Sequence, residues 1–296
     1  MKDRAAKAVS LIFGVAPTAL TRIGGGAYGV VFRAELPEKP RAVAVKAFIR
    51  EGDCAREALW YAALQNAKVR LPRLFGCANG CLALEYVAGV NASAPPAHCD
   101  FDGIGEQIAR DIALLHSCRG SGFGAISGAA DLSGGGCPTW RGCFKTIAGA
   151  QFANAENAAR AGLFSAAVPD LLTRIFCRFD LIFNEPPYPS LIHGDLNAEN
   201  IMIDARSYLC MIDPINSLWG DPELELFQLT QNGGDRFRLL ENYAALRPLT
   251  PDYRLKSACY AALAEADWFA DIRLPQDALL NSFLSALQDR LNEYGY

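Results

Sequence analysis

Asp195, Asn200 and Asp213 lie close together where short apolar runs, Ser190 to Ile192, Asn200 to Ile203 and Leu209 to Ile212, alternate with polar turns. Apolar runs of this length bounded by turn residues read as strands, so the oxygen-bearing side chains fall at strand ends and on the loops between them. A carboxylate so placed can take a proton, while an amide oxygen and a second carboxylate together suit a hard divalent cation. Phosphoryl transfer is one chemistry that uses both. It depends on positioning and charge neutralisation and requires no nucleophilic enzyme residue.

The run His193-Gly194-Asp195, followed by Asn200 and then by Asp213-Pro214, resembles the catalytic loop and metal-binding Asp of kinases. The resemblance implies that Asp195 accepts the proton of an acceptor hydroxyl, and that Asn200 and Asp213 hold Mg2+ against the phosphates of ATP. Gly194 stands where protein kinases have Arg, which is similar to the aminoglycoside phosphotransferases and fructosamine kinases. Asp213-Pro214, in place of Asp-Phe-Gly, is similar to the fructosamine kinases in particular. That likeness continues through Trp219 to Leu226, Glu241-Asn242-Tyr243 and Pro248 to Tyr253. Two positions depart from it: Asn197 replaces the usual Trp at a position facing the acceptor side, and Glu225 replaces the usual Asp as scaffolding.

The elements that must position these residues begin with a helix over Lys2 to Phe13, stopped by Gly14. Strands over Ala19 to Ile23 and Val30 to Glu35 flank the loop Gly24-Gly25-Gly26-Ala27-Tyr28-Gly29, whose glycines let backbone N–H groups face an anion. The strand Ala42 to Phe48 places Val43 and Val45 on one face and Lys46 on the other, with Ala44 and Phe48. A glycine loop followed by a strand lysine is the kinase arrangement, in which the ammonium holds phosphates and pairs with a helix carboxylate. Glu57, in a helix over Cys54 to Leu64, is the expected partner; Glu51 is the rival.

Strands over Leu71 to Phe75 and Cys81 to Tyr86 surround the Asn79-Gly80 turn, and Glu85-Tyr86-Val87 resembles a hinge whose backbone meets adenine. Beyond a loop at Asn91 to Asp102, helices are expected from Ile104 to His116, from Thr139 toward Leu163 and from Pro169 to Phe183. After the catalytic stretch they follow over Leu224 to Gln231, Arg236 to Leu246, Asp252 to Phe269 and Gln276 to Leu291. His116 reads as structural, and Trp140 with Phe144 one turn later reads as core.

A chain of 296 residues that is 51% apolar can bury one or two sizeable cores without covalent staples. Its net charge of −4, with no Lys/Arg-rich run, excludes a nucleic-acid footprint. No apolar run approaches membrane-spanning length and no secretory leader is present, so the ten cysteines read as reduced, buried residues of a cytoplasmic protein. Cys77 and Cys81, with His98 and Cys99, do not form a convincing zinc pattern. Asp221, Glu223 and Asp267 read either as an attraction for a cationic substrate or as ordinary solvated surface.

The expectation is an α+β, bilobal, protein-kinase-like fold: residues 1–87 as a β-rich nucleotide-binding lobe and 88–296 as a mostly helical lobe with the acceptor site. The activity implied is ATP- and Mg2+-dependent phosphorylation of a hydroxyl on a small, sugar-like or amine-bearing molecule, a fructosamine or an aminoglycoside, by a monomer or weak dimer. A protein Ser/Thr kinase and an idle nucleotide-binding pseudokinase are the alternatives. The Gly in His-Gly-Asp and the lack of an Ala-Pro-Glu segment argue against the first; intact Lys46, Asp195, Asn200 and Asp213 argue against the second.

Overall fold

The computed structural model describes residues 1–296. Helix α1 (Lys2–Phe13) buries Ala5, Ala8 and Val9 and ends at Gly14, which takes a left-handed φ of 73°. Next come strands β1 (Ala19–Gly25), β2 (Gly29–Glu35) and β3 (Ala42–Phe48), helix α2 (Gly52–Gln65), and strands β4 (Leu74–Ala78) and β5 (Cys81–Glu85). The strands form an antiparallel sheet in the order β1-β2-β3-β5-β4. The alternation of β3 is realised: Val43, Val45 and Ala47 pack with α1, and Phe48 packs toward Cys54 and Tyr61 of α2.

Past β6 (Val90–Asn91) the chain turns helical: α3 (Phe101–Ser117), then β7 (Gly124–Ala125), α4 (Trp140–Arg160), α5 (Ala167–Cys177) and the short α6 (Phe179–Ile182). Strands β8 (Ser190–Ile192), β9 (Ile201–Ile203), β10 (Tyr208–Met211) and β11 (Leu218–Gly220) build two three-stranded sheets, β10-β9-β6 and β7-β11-β8. Helices α7 (Leu239–Leu246), α8 (Tyr253–Asp271) and α9 (Ala278–Glu293) complete the chain. The expected apolar stripe of α3 is fully buried, as are Trp140 and Phe144, whose rings stack with centroids 5.2 Å apart. No helix is long and apolar enough to cross a membrane.

Helix α2 belongs to two cores. Cys54 and Tyr61 pack under the N-terminal sheet with Leu82 and Leu84, whereas Trp60, Ala63 and Leu64 join a cluster containing Ile112, Leu191, Leu196 and Ile201. The Trp60 indole N–H also donates to the carbonyl of Ile126 at 3.1 Å. One helix thus anchors the N-terminal sheet to the elements that carry the polar loop.

Several expectations need correction. The strand read over Leu71 to Phe75 begins at Leu74 instead, because Pro72 has no N–H for the ladder. The helix read over Pro169 to Phe183 breaks at Arg178 into α5 and α6. The two helices read over Leu224 to Gln231 and Arg236 to Leu246 are short 3-10 turns through Phe237 followed by α7, with the chain kinked at Gln231, Asn232 and Gly233. The cysteines are not all reduced: Cys54 in the first turns of α2 and Cys77 in β4 are joined by a disulfide, their Cα atoms 6.3 Å apart. That pairing depends on α2 lying across β4, which cysteine spacing alone does not encode.

Asp221 and Glu223 are neither solvated surface nor a lure for substrate. Both are buried, each 2.7 Å from the buried Lys256 ammonium, and Asp221 also accepts from the Tyr260 hydroxyl at 3.0 Å. Burial pulls the Lys256 pKa down, but these two carboxylates outweigh it and hold the ammonium charged. Lys256→Met is therefore expected to cost about 3–5 kcal/mol in a denaturant titration, since it leaves buried carboxylates uncompensated. A midpoint equal to the wild type would show that water, not Lys256, balances them.

Candidate active site

The polar loop between β8 and β9 is built from backbone geometry first. Gly194 adopts a φ of 93°, and a Cβ there would overlap the carbonyl oxygen of Ile215. Arg, its counterpart in protein kinases, does not fit this conformation. Gly194→Ala is expected to lower stability by about 1–3 kcal/mol through left-handed strain, before the overlap is relieved by moving the loop. A calorimetric midpoint unchanged from the wild type would contradict this packing.

The loop is then pinned by one segment. Glu225 accepts from the backbone N–H groups of His193 at 3.2 Å and Gly194 at 2.6 Å, and from His116 Nε2 at 2.7 Å. Burial raises the Glu225 pKa, but His116, His193 and the Gly194 N–H outweigh it, leaving the carboxyl below its usual range. Gln228 accepts from the Leu196 N–H at 2.8 Å and donates to the Gly194 carbonyl at 3.2 Å. Both residues serve as scaffolding, as expected of Glu225, and His116 is likewise structural: it is fully buried and bridges Glu225 and the Tyr243 hydroxyl. His193 is buried too, and burial holds its pKa below the ordinary histidine value.

Inside this frame Asp195 meets two amides. Asn200 Nδ2 lies 2.7 Å from Asp195 Oδ2 and Asn197 Nδ2 lies 2.8 Å from Oδ1. Burial pushes the Asp195 carboxyl up to about 6, against these hydrogen bonds and with help from the charges of Asp213 and Glu265. Because Asn200 spends its N–H groups on Asp195, its Oδ1 accepts no hydrogen bond.

Asp213, just past β10, takes a positive φ of 59°, and its N–H donates to the Tyr61 hydroxyl at 3.1 Å. Asp213 Oδ1 contacts the Lys46 ammonium, whose other partner is Glu57 Oε2 at 2.7 Å. Of the two candidate carboxylates, then, Glu57 pairs with Lys46, while Glu51 sits 3.8 Å from Arg4. Burial lowers the Lys46 pKa, but Glu57 and Asp213 overcome it and keep the ammonium charged. Glu57 and Tyr61 are one turn apart on α2, so a single helix face reaches both Lys46 and Asp213. Tyr61 was missed in the sequence, although its spacing from Glu57 was a usable signal.

The glycine loop Gly24-Gly25-Gly26-Ala27-Tyr28 crosses toward α8, where the Tyr28 hydroxyl donates to Asp271 at 3.4 Å. Asp267, one turn earlier on α8, accepts from Asn154 at 2.7 Å. Glu85 ends β5, its N–H bonded to the Arg73 carbonyl, and Val87 follows in the connection to β6. Asn197 turns its side chain back onto Asp195, its Nδ2 donating to Asp195 Oδ1 at 2.8 Å while its Oδ1 caps the Glu199 N–H at 2.9 Å.

An antiparallel sheet joined through α2 to a helical part, with Lys46, Glu57, Asp195, Asn200 and Asp213 gathered at the junction, defines a kinase-like phosphotransferase. The chain belongs to the phosphotransferase enzyme family, whose profile matches residues 19–255. It is similar to the Probable ketoamine kinase of Vibrio parahaemolyticus, 34% identical over 80 residues, a stretch that spans 27% of either protein. It shares its fold with a candidate fructosamine-3-kinase from Thermobifida fusca at a TM-score of 0.74 and 20% identity, covering 99% of each chain. A thermostable mutant of an aminoglycoside phosphotransferase, solved with AMP-PNP and hygromycin B, aligns at a TM-score of 0.64 and 15% identity, over 95% of this chain and 97% of that one.

Proposed function

We propose that this protein is an ATP- and Mg2+-dependent kinase that phosphorylates a hydroxyl of a small ketoamine-type sugar amine. The observation that carries the reading is the junction array: a charged lysine between Glu57 and Asp213, beside Asp195 and a free amide oxygen of Asn200. Asn200 Oδ1 and Asp213 Oδ2 accept no hydrogen bond, and two hard oxygens left open in this way fit a magnesium ion. The metal, when bound, neutralises charge on the phosphate oxygens.

The protein's own residues do the rest. Lys46 is drawn to phosphate oxygens while Glu57 keeps its stem in place. Backbone N–H groups of the glycine loop, residues 24 to 28, cover the phosphates, and the backbone of Glu85 and Val87 meets the adenine. Asp195 orients the acceptor hydroxyl and takes its proton as the oxygen attacks. Only four residues, 214 to 217, separate Asp213 from β11, which leaves no segment to hold a peptide substrate and supports a small acceptor. The ketoamine class rests on the named relatives.

The test is phosphate transfer from ATP, with and without magnesium, to a fructosyl amine, to hygromycin B and to a Ser/Thr peptide. Transfer to the fructosyl amine is expected. Transfer to hygromycin B alone would reassign the acceptor to aminoglycosides, and nucleotide binding without turnover on any acceptor would leave an idle module.

A further inference from the structure

Asn197 is the residue where the site departs most from its sequence resemblance, and its contacts give it a job. Its Nδ2 donates to Asp195 Oδ1 at 2.8 Å, while its Oδ1 accepts from the Glu199 N–H at 2.9 Å and from Asn232 Nδ2 at 3.1 Å. Asn200 holds the other Asp195 oxygen at 2.7 Å and the Asp195 backbone carbonyl at 2.8 Å. Asp195 thus has both carboxylate oxygens fixed by amide donors from its own loop. One of those donors is itself fixed from outside the loop.

The outside support is Asn232, at the kink of the segment that also supplies Glu225 and Gln228. It takes a left-handed φ of 53°, a conformation Asn tolerates better than most residues. Glu225, Gln228 and Asn232 fall three and then four residues apart and meet successive parts of the loop: His193 and Gly194, then Gly194 and Leu196, then Asn197. The first two hold backbone; Asn232 alone reaches the side chain that touches Asp195. Asn197 is 8% exposed, so its amide is not free to turn toward an acceptor instead.

We infer that Asn197, oriented by Asn232, is a positioning residue for phosphoryl transfer that locks the Asp195 carboxylate in the rotamer facing the acceptor hydroxyl. The inference rests on the reading of Asp195 as proton acceptor given above. It assigns Asn197 no direct contact with the acceptor, so the acceptor wall must be formed by other residues. A side chain held at both ends also costs less entropy to keep in place than a lone carboxylate on a loop would.

Two variants separate positioning from scaffolding. Asn197→Asp keeps an oxygen to accept from Glu199 and Asn232 but removes the donor to Asp195; Asn197→Ala removes both. Turnover of magnesium ATP is read with a fructosyl amine as acceptor and, in parallel, with water. Both variants are expected to lose about ten- to a hundred-fold in kcat, the range typical of residues that orient a reacting group, with KM for ATP and the magnesium requirement within a few-fold of wild type. The melting temperature of Asn197→Asp should stay near that of the wild type. Asn232→Ala should lose about three- to ten-fold in kcat, and the Asn197→Ala/Asn232→Ala pair should lose no more than Asn197→Ala alone, because the two act through one contact. Wild-type kcat in Asn197→Ala, a loss confined to the Asp variant, or losses that multiply in the pair would each overturn the inference. Asp195→Asn is measured beside them. If it too turns over normally, the fault lies in the role given to Asp195; if it is inactive while the Asn197 variants are not, only the positioning role fails.

Discussion

Replacing Asp195 by Asn is expected to lower kcat about a hundred- to ten-thousand-fold, which corresponds to roughly 3–5 kcal/mol of barrier, while ATP affinity in the presence of magnesium stays within a few-fold. The amide keeps the shape of the carboxylate but cannot take the proton of the acceptor hydroxyl. Because burial lifts the Asp195 carboxyl to about 6, the wild-type rate should also fall as pH drops through 6, where the carboxylate becomes protonated, and Asp195→Asn should lose that acid limb. Steady-state kinetics across pH, with nucleotide affinity measured separately, checks both. A variant that binds ATP poorly but keeps its maximal rate would move Asp195 to the nucleotide site.

Asp213→Asn is expected to cost about a thousandfold or more, for a different reason: it removes the only anionic oxygen that the proposed metal site offers. Its signature is in the metal titration. Raising magnesium should recover little activity, and the thermal stabilisation that magnesium ATP gives the wild type should shrink toward that of ATP alone. Lys46 keeps Glu57 as a partner at 2.7 Å, so the fold itself should survive. Near-wild-type turnover at saturating magnesium would remove Asp213 from the metal site.

Much of this junction was legible in the sequence because its chemistry is local. Asp195, Asn200 and Asp213 fall within one stretch, and the alternation of β3 shows which face Lys46 takes. Glu57 could be preferred to Glu51 because it sits inside a helix, where a carboxylate is better held. What could not be read was contact between distant parts of the chain. Gln228 and Asn232 meet the loop from more than thirty residues away through amide hydrogen bonds, and such bonds leave no periodic trace. Asp221 and Glu223 read as a substrate attraction or as solvated surface because Lys256, which neutralises them, arrives from α8. The hydrogen bonds of Asn197 were hidden for a related reason. Its direction is set by the 3-10 turn it caps, and loop register, unlike strand register, does not alternate predictably.

Helix α2 carries Glu57 to Lys46 and Tyr61 to the backbone of Asp213, while Trp60 and Leu64 seat it in the core beneath the loop. In the language of logic this is a conjunction: the lysine on one side and the turn at Asp213 on the other are satisfied by one input, the seating of a single rigid rod. A slide of less than one helical turn, about 5 Å, releases both together, so neither can be tuned without the other.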